Sequence, residues 1–227
     1  MNREWIGAVV VLAVCMGSAL AYARDHRGRH YAAGREVQPQ SVRSFRLVHA
    51  WLRISTPVAG LGGLLGDGDV WLTLRPAGPV FWTGLALAMG GFALFVHARR
   101  MLGREYAPCY DAHMPARIVT EGVYAYVRHP IYTANVTTLA GLTLATGSGW
   151  LLFNTLILGW FCTVSAVHEE NALWAASADY RRYVRDTGRF LPRLRPGKTS
   201  SRRRGMTTPP SATVPAKPGQ LTSMTRM

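Results

Sequence analysis

A short run of aromatic, cationic and imidazole side chains stands directly before one of the long apolar stretches of the sequence. It reads Gly122-Val123-Tyr124-Ala125-Tyr126-Val127-Arg128-His129-Pro130-Ile131-Tyr132. Pro130 suits the first turn of a helix, where backbone amides and the guanidinium of Arg128 would favour an anion such as a carboxylate. His129 and Tyr132, three residues apart, can share a helical face. A purely structural interpretation is a belt of tyrosine and arginine at a membrane surface.

Two adjacent acids, Glu169 and Glu170, follow His168 at the end of the last apolar stretch. Cytoplasmic head groups are negative, so acids gain nothing from that environment and require a cationic partner. A ligand that carries an amine and a sulfonium would meet this need, and so would a salt bridge to nearby arginines. The candidate arginines are Arg128, Arg181 and Arg182. Both interpretations stay open at this point.

Five apolar runs must position these residues. A membrane span needs about 20 mostly apolar residues, and four runs approach this without an internal charge, namely 6–22, 79–96, 131–146 and 150–167. A fifth run, 47–66, is less apolar because it contains His49 and Arg53. The sequence therefore predicts an all-α, polytopic transmembrane helical bundle of about five spans.

The basic residues predict the orientation of this bundle. Six arginines lie between the runs 6–22 and 47–66, and five lie between the runs 79–96 and 131–146. The connection between 47–66 and 79–96 contains only one basic residue, Arg75. Five spans place all the arginine-rich segments on one side, as the positive-inside rule requires. The N-terminus is then outside and the C-terminus cytoplasmic, and an uncleaved first span is favoured over a signal peptide. The net charge of +14 then suits anionic membrane lipids, and no nucleic-acid partner is expected.

Only Gly147-Ser148-Gly149 joins the last two runs, which predicts a tight antiparallel helical hairpin. Both outer ends of the hairpin would lie on the cytoplasmic face. His129 would thereby become a neighbour of Glu169 and Glu170.

The sequence after the hairpin predicts an amphipathic helix, which would cap the bundle, and a disordered tail. Apolar residues recur at helical spacing opposite arginines, typical of a cytoplasmic amphipathic helix; they are Leu173, Ala176, Tyr180, Tyr183 and Val184. From Arg195 onward the composition predicts disorder. We therefore expect N-terminal spans over 1–98, a core with the hairpin and cap over 99–194, and a disordered basic tail over 195–227.

These motifs follow one another in a fixed order. They are Arg128-His129-Pro130-Ile131-Tyr132, the paired acids, Tyr180-Arg181-Arg182-Tyr183 and Phe190-Leu191-Pro192. The chain thereby resembles the isoprenylcysteine carboxyl methyltransferase and phospholipid methyltransferase superfamily from about residue 102 to residue 192. The resemblance implies a methyltransferase that binds S-adenosyl-L-methionine at the cytoplasmic face and takes a lipophilic substrate from the bilayer.

The resemblance also implies which residues hold the donor. Carried over position by position, they are Val119, Tyr124, His129, Pro130, Ile131, Tyr132 and Glu169 or Glu170, to which Arg128 is added for its charge. Methyl transfer from a sulfonium mainly requires alignment of the reactants and exclusion of water. An amine or hydroxyl acceptor would also need a base, for which His129, His168 and the two acids are the candidates.

One position departs from the superfamily pattern. Ser165 stands four residues before Glu169, where the family often has an arginine that meets the substrate carboxylate. The run 150–168 contains no arginine, and an uncompensated carboxylate near the membrane is costly. This disfavours a prenylcysteine carboxylate as the acceptor, unless His168 substitutes for the arginine.

Three other functional classes remain open. An NADPH-dependent sterol-type reductase shares the C-terminal hairpin, and a non-enzymatic scaffold would use the tyrosines and arginines only as membrane anchors. A di-iron oxygenase would need more histidine clusters than the pair His26 and His30. Cys15, Cys109 and Cys162 form neither a CxxC motif nor a disulfide framework, so no metal site is expected.

Overall fold

The computed structural model describes residues 3–26, 42–65, 74–103 and 118–193, and this part of the chain is helical without a strand. The helices are α1 (Arg3–His26), α2 (Val42–Leu65), α3 (Gly78–Leu102), α4 (Pro130–Thr146), α5 (Gly149–Ala176) and α6 (Ala178–Asp186). A 3-10 turn, Gly122–Ala125, precedes α4. The predicted all-α class is confirmed. His30, Cys109 and the predicted tail lie outside the described residues.

Within the described residues, three helices are long and apolar enough to cross a membrane, through Arg3–Leu20, Gly78–Leu102 and Gly149–Ala175. The other two predicted spans also coincide with helices. However, α4 has only 17 residues, and α2 carries three arginines among its 24 residues. Five long helices therefore occur where five spans are expected, and the count of five stays a prediction.

Small residues let α3 and α4 pack closely. A Cβ atom on Gly84 would lie 2.4 Å from the backbone nitrogen of Ala145, and one on Gly141 would lie 2.3 Å from that of Ala88. Backbones that approach this closely gain van der Waals contact that larger side chains would prevent, as is common between membrane helices. This contact fixes α4, which begins at Pro130 directly after His129, against α3.

The link between α4 and α5 forms the predicted tight hairpin. Gly147 ends α4 in the left-handed conformation (φ 68°) and donates its N–H to the carbonyl of Thr143, a conformation that glycine adopts without steric cost. Ser148 then caps α5 by accepting the N–H of Leu151. Because the turn is so short, the far ends of α4 and α5 lie side by side.

A buried amide attaches α2 to α5. The side chain of Asn154 is fully buried and donates to the hydroxyl of Ser55 over 2.9 Å, while its oxygen accepts the indole N–H of Trp51 over 3.1 Å. Such bonds stabilise helix pairs where water is absent.

The helix after the hairpin is shorter than the amphipathic pattern predicts. Leu173 and Ala176 belong to α5, and Ser177 caps a separate α6 by accepting the N–H of Tyr180. The serine interrupts the helix because its hydroxyl competes for backbone amides. Helix α6 has the predicted apolar and basic faces, with Tyr180 buried and three arginines exposed, namely Arg181, Arg182 and Arg185.

Candidate active site

The hairpin brings the imidazole of His129 between the two acids. Its Nδ1 lies 3.6 Å from Oε2 of Glu169, and its Nε2 lies 3.1 Å from Oε1 of Glu170. His129 precedes the first turn of α4, and the acids lie toward the end of α5. The predicted meeting of His129 with the paired acids is therefore confirmed.

Glu170 is the centre of a buried hydrogen-bond cluster. Its Oε1 accepts from Nε of Arg128 over 3.0 Å, from Nε2 of His129 over 3.1 Å and from Nε of Arg189 over 3.1 Å. Its Oε2 accepts from an NH2 of Arg189 over 2.8 Å. Charge-assisted bonds of this kind are among the strongest in proteins. The carboxylate of Glu170 is thus fully engaged by protein groups.

Glu169 has a different environment although it is the next residue. Its Oε1 accepts the hydroxyl proton of Tyr132, and its Oε2 faces His129. The side chain of Glu169 is 42% exposed, against 10% for Glu170. In the described part of the chain, no arginine pairs with Glu169. This carboxylate is therefore the one that remains accessible to a ligand.

The segment after α6 closes over the start of α4 through its backbone. The N–H of Arg128 donates to the carbonyl of Gly188 over 2.8 Å, and the N–H of His129 donates to that of Arg189 over 3.0 Å. The hydroxyl of Thr133 donates to the carbonyl of Phe190 over 2.8 Å. The backbone amides of Arg128 and His129, directly before α4, are thus used by the protein itself.

Arg128 joins the cluster to the end of α6. Besides Glu170, its guanidinium donates to the carbonyls of Val184, at 3.2 Å, and Thr187. Carbonyls at the end of a helix lack partners of their own and favour a cation. Only 6% of the side chain is exposed. Arg128 therefore lies in the predicted place, but its charge is compensated by Glu170 and its N–H groups donate to protein carbonyls.

Aromatic rings surround the imidazole. Tyr132 stacks on His129 with 5.3 Å between ring centroids and 1° between planes, and Phe190 lies at 6.1 Å. These contacts restrict rotation of the ring.

Two tyrosines connect the site to its supports. The hydroxyl of Tyr124 donates to the carbonyl of Ala98 on α3 over 3.4 Å, and that of Tyr183 donates to the carbonyl of Tyr124. Burial raises the pKa of Tyr124, Tyr180 and Tyr183 above the usual phenol value. The phenols therefore stay neutral, and those of Tyr124 and Tyr183 act as hydrogen-bond donors.

The sequence of this region matches the model of a known protein family. Residues 79–176, from the start of α3 to the end of α5, match the model described as phospholipid methyltransferase. We call this region the phospholipid methyltransferase domain, after the family model that it matches. The family is one of membrane methyltransferases, in agreement with the resemblance and with the three helices that are long and apolar enough to cross a membrane. No curated protein matches the chain.

The phospholipid methyltransferase domain brings most of the predicted site residues together. One cluster contains Arg128, His129, Tyr132, Glu169 and Glu170. Pro130 and Ile131 form the first turn of α4 beside it, and Val119 is half-buried before the 3-10 turn. Tyr124 points its hydroxyl toward α3. The part that each residue plays in donor binding stays a prediction.

Other candidate residues of the domain and of α6 make local contacts. Ser165 is buried and donates to the carbonyl of Phe161 over 2.8 Å, and His168 is exposed, with Nδ1 2.8 Å from the carbonyl of Val164. Arg181 and Arg182, considered as partners of the acids, instead contact the carbonyl of Trp174 and the carboxylate of Asp179.

Sequence reasoning missed Arg189. This residue lies beyond the phospholipid methyltransferase domain and directly before the motif Phe190-Leu191-Pro192. The need of the paired acids for a cation was the signal that could have found it, because Arg189 supplies two of the bonds to Glu170.

Proposed function

We propose that the phospholipid methyltransferase domain uses S-adenosyl-L-methionine to methylate a lipophilic acceptor that reaches it from the bilayer. When bound, the donor supplies a methyl group on a positively charged sulfonium. The family match supports the reaction class. The observation that carries the choice of donor is the accessible, arginine-free carboxylate of Glu169 beside an imidazole whose other nitrogen is engaged.

The site residues fit the amino group of this donor. Because a carboxylate only accepts hydrogen bonds, the bond between Nε2 of His129 and Glu170 places a proton on Nε2. In the neutral ring, Nδ1 is then an acceptor, 3.6 Å from a second acceptor, Oε2 of Glu169. Two acceptors that face each other in this way favour an ammonium group. Glu169 and His129 would hold it, with Tyr132 orienting Glu169.

The surroundings of α5 support an acceptor without a carboxylate. Ser165 stands where an arginine would neutralise such a group, and it is buried with its hydroxyl bonded to the helix backbone. We therefore propose an amine or hydroxyl acceptor, which needs a base. In His168, the bond from Nδ1 to the carbonyl of Val164 leaves Nε2 as an exposed proton acceptor. His168 and His129 are the two candidates for the base.

The same proposal sets the orientation of the chain. If the hairpin opens toward the cytoplasm, where S-adenosyl-L-methionine is made, the C-terminus is cytoplasmic and the N-terminus is outside. Membrane-impermeant labelling of cysteines introduced at Leu74 and at Arg185 tests this. Labelling of the residue 74 variant alone in right-side-out vesicles is expected, and the reverse pattern would overturn the orientation.

Incubation with methyl-labelled S-adenosyl-L-methionine and a membrane lipid extract tests the function. We expect label in a lipid-soluble product, and calorimetry should show donor binding that Glu169→Gln weakens about tenfold, the equivalent of a lost charge-assisted hydrogen bond. Asp179→Asn, which removes an exposed acid on α6, is the matched control and should bind normally. A folded protein that binds NADPH instead, or that neither binds the donor nor labels any lipid, would overturn the proposal.

A further inference from the structure

Arg189 lies outside the matched domain, yet its guanidinium donates two hydrogen bonds to Glu170, one of the paired acids in that domain. Nε lies 3.1 Å from Oε1 of Glu170, and Nη2 lies 2.8 Å from Oε2. We propose that Arg189 is a positioning residue, which acts through Glu170 to fix the imidazole of His129 and leaves Glu169 as the acid presented to the donor. The effect on donor binding rests on the proposed function, whereas the effect on the imidazole does not.

The chain of contacts from Arg189 to the donor site has two steps. Arg189 holds the plane of the Glu170 carboxylate, because two parallel bonds to two oxygens leave it one orientation. Oε1 then receives the proton on Nε2 of His129 at 3.1 Å. This bond selects the tautomer of His129 whose Nδ1 accepts, and Nδ1 is the atom that faces Glu169.

Arg128 cannot replace Arg189 in this role. Its Nε reaches only Oε1 of Glu170, and its remaining described bonds go to the carbonyls of Val184 and Thr187. The described bond to Oε2 comes from Arg189. The terminal torsion of a glutamate is soft, so without Arg189 the carboxylate can turn away from His129. Its Oε2 would also become a second anion beside Glu169, able to compete for an ammonium group.

The role of the Arg189 side chain can be tested separately from the backbone bonds that attach the segment after α6 to the start of α4. The backbone bonds from His129 to the carbonyl of Arg189, and from Thr133 to the carbonyl of Phe190, do not involve the guanidinium. The side chain of Arg189 is 38% exposed, so a shorter or uncharged side chain fits without a clash. Arg128 remains as a buried counter-ion for Glu170.

The first measurement is nitrogen NMR of the histidine rings in the ligand-free protein, with the His129 signals identified by their loss in His129→Gln. The tautomer with the proton on Nε2 is expected in the wild-type protein at alkaline pH. Arg189→Met should give a mixture of tautomers, and Arg189→Lys an intermediate spectrum, because lysine keeps the charge but not the planar fork. Arg185→Met, which removes an exposed arginine of α6, should leave the spectrum unchanged.

The second measurement is donor affinity by calorimetry on the same variants, with thermal unfolding as a check on folding. Arg189→Met should weaken binding about tenfold, and Arg189→Lys less. An unchanged His129 spectrum in both Arg189 variants would overturn the proposal, even if they unfold at lower temperature, since that pattern marks a purely structural role. If the wild-type protein does not bind the donor, the proposed function fails, and the NMR comparison still decides the role of Arg189.

Discussion

The guanidinium of Arg128 and the carboxylate of Glu170 form an ion pair with 3.0 Å between Nε and Oε1, and neither side chain is more than 10% exposed. The neighbouring acid Glu169 is 42% exposed and has no arginine partner in the described residues. Under the proposed function, the two adjacent glutamates therefore have different tasks, one within the protein and one toward the ligand.

The first prediction separates these tasks by stability. Glu170→Gln removes the charge that balances Arg128 and Arg189, so it should lower the free energy of unfolding by about 3 kcal/mol, as loss of a buried ion-pair partner does. Glu169→Gln should lower it by less than about 1 kcal/mol, because the amide oxygen of glutamine can still accept the hydroxyl of Tyr132. Denaturant unfolding in detergent measures both. Equal losses in the two variants would contradict the division.

The second prediction concerns the contact between α3 and α4. Gly84→Ala forces a Cβ to within 2.4 Å of the backbone of Ala145, so it should destabilise the protein by about 1–3 kcal/mol, as overpacking does. Gly90→Ala is the control on the same helix, because nothing lies within 4 Å of its Cβ. Thermal unfolding of the two variants should differ clearly. Similar melting temperatures would mean that α3 and α4 do not pack through Gly84.

The third prediction concerns the attachment of α2. Asn154→Ala removes the bonds to Ser55 and Trp51 and should cost about 1–2 kcal/mol, the range for hydrogen bonds between membrane helices. Thr163→Val, which removes an exposed hydroxyl bonded within α5, should have no measurable effect. Tryptophan fluorescence should also report the change, since Trp51 loses its indole partner. An unaltered spectrum and stability would show that α2 is held in another way.

The fourth prediction concerns alkaline pH. In the folded protein, burial raises the pKa of Tyr124, Tyr180 and Tyr183, so the unfolded chain releases these protons first. Their contribution to stability is complete below the ordinary tyrosine pKa of about 10 and is lost as the pH rises above it. Ultraviolet titration should show these three of the nine tyrosines ionising only with unfolding. Early ionisation of all nine would contradict the buried positions.

Local patterns in the sequence determined the scaffold of this protein. Long apolar runs predict helices because each span satisfies its own backbone, and five of them occur as helices. The three-residue link around Ser148 permits only a tight antiparallel hairpin. The proximity of His129 to Glu169 and Glu170 therefore followed from chain connectivity. The family resemblance, read from ordered motifs, agrees with the match over 79–176.

Only the tertiary structure decided which cation each acid meets. Glu170 lies 19 residues before Arg189 and 42 after Arg128, and no local periodicity relates these positions. Their pairing depends on the return of the segment after α6 to the start of α4, through bonds such as that from Arg128 N–H to the carbonyl of Gly188. A guanidinium pairs with whichever carboxylate the folded backbone brings within reach, so the sequence could name the charged residues but not their partners.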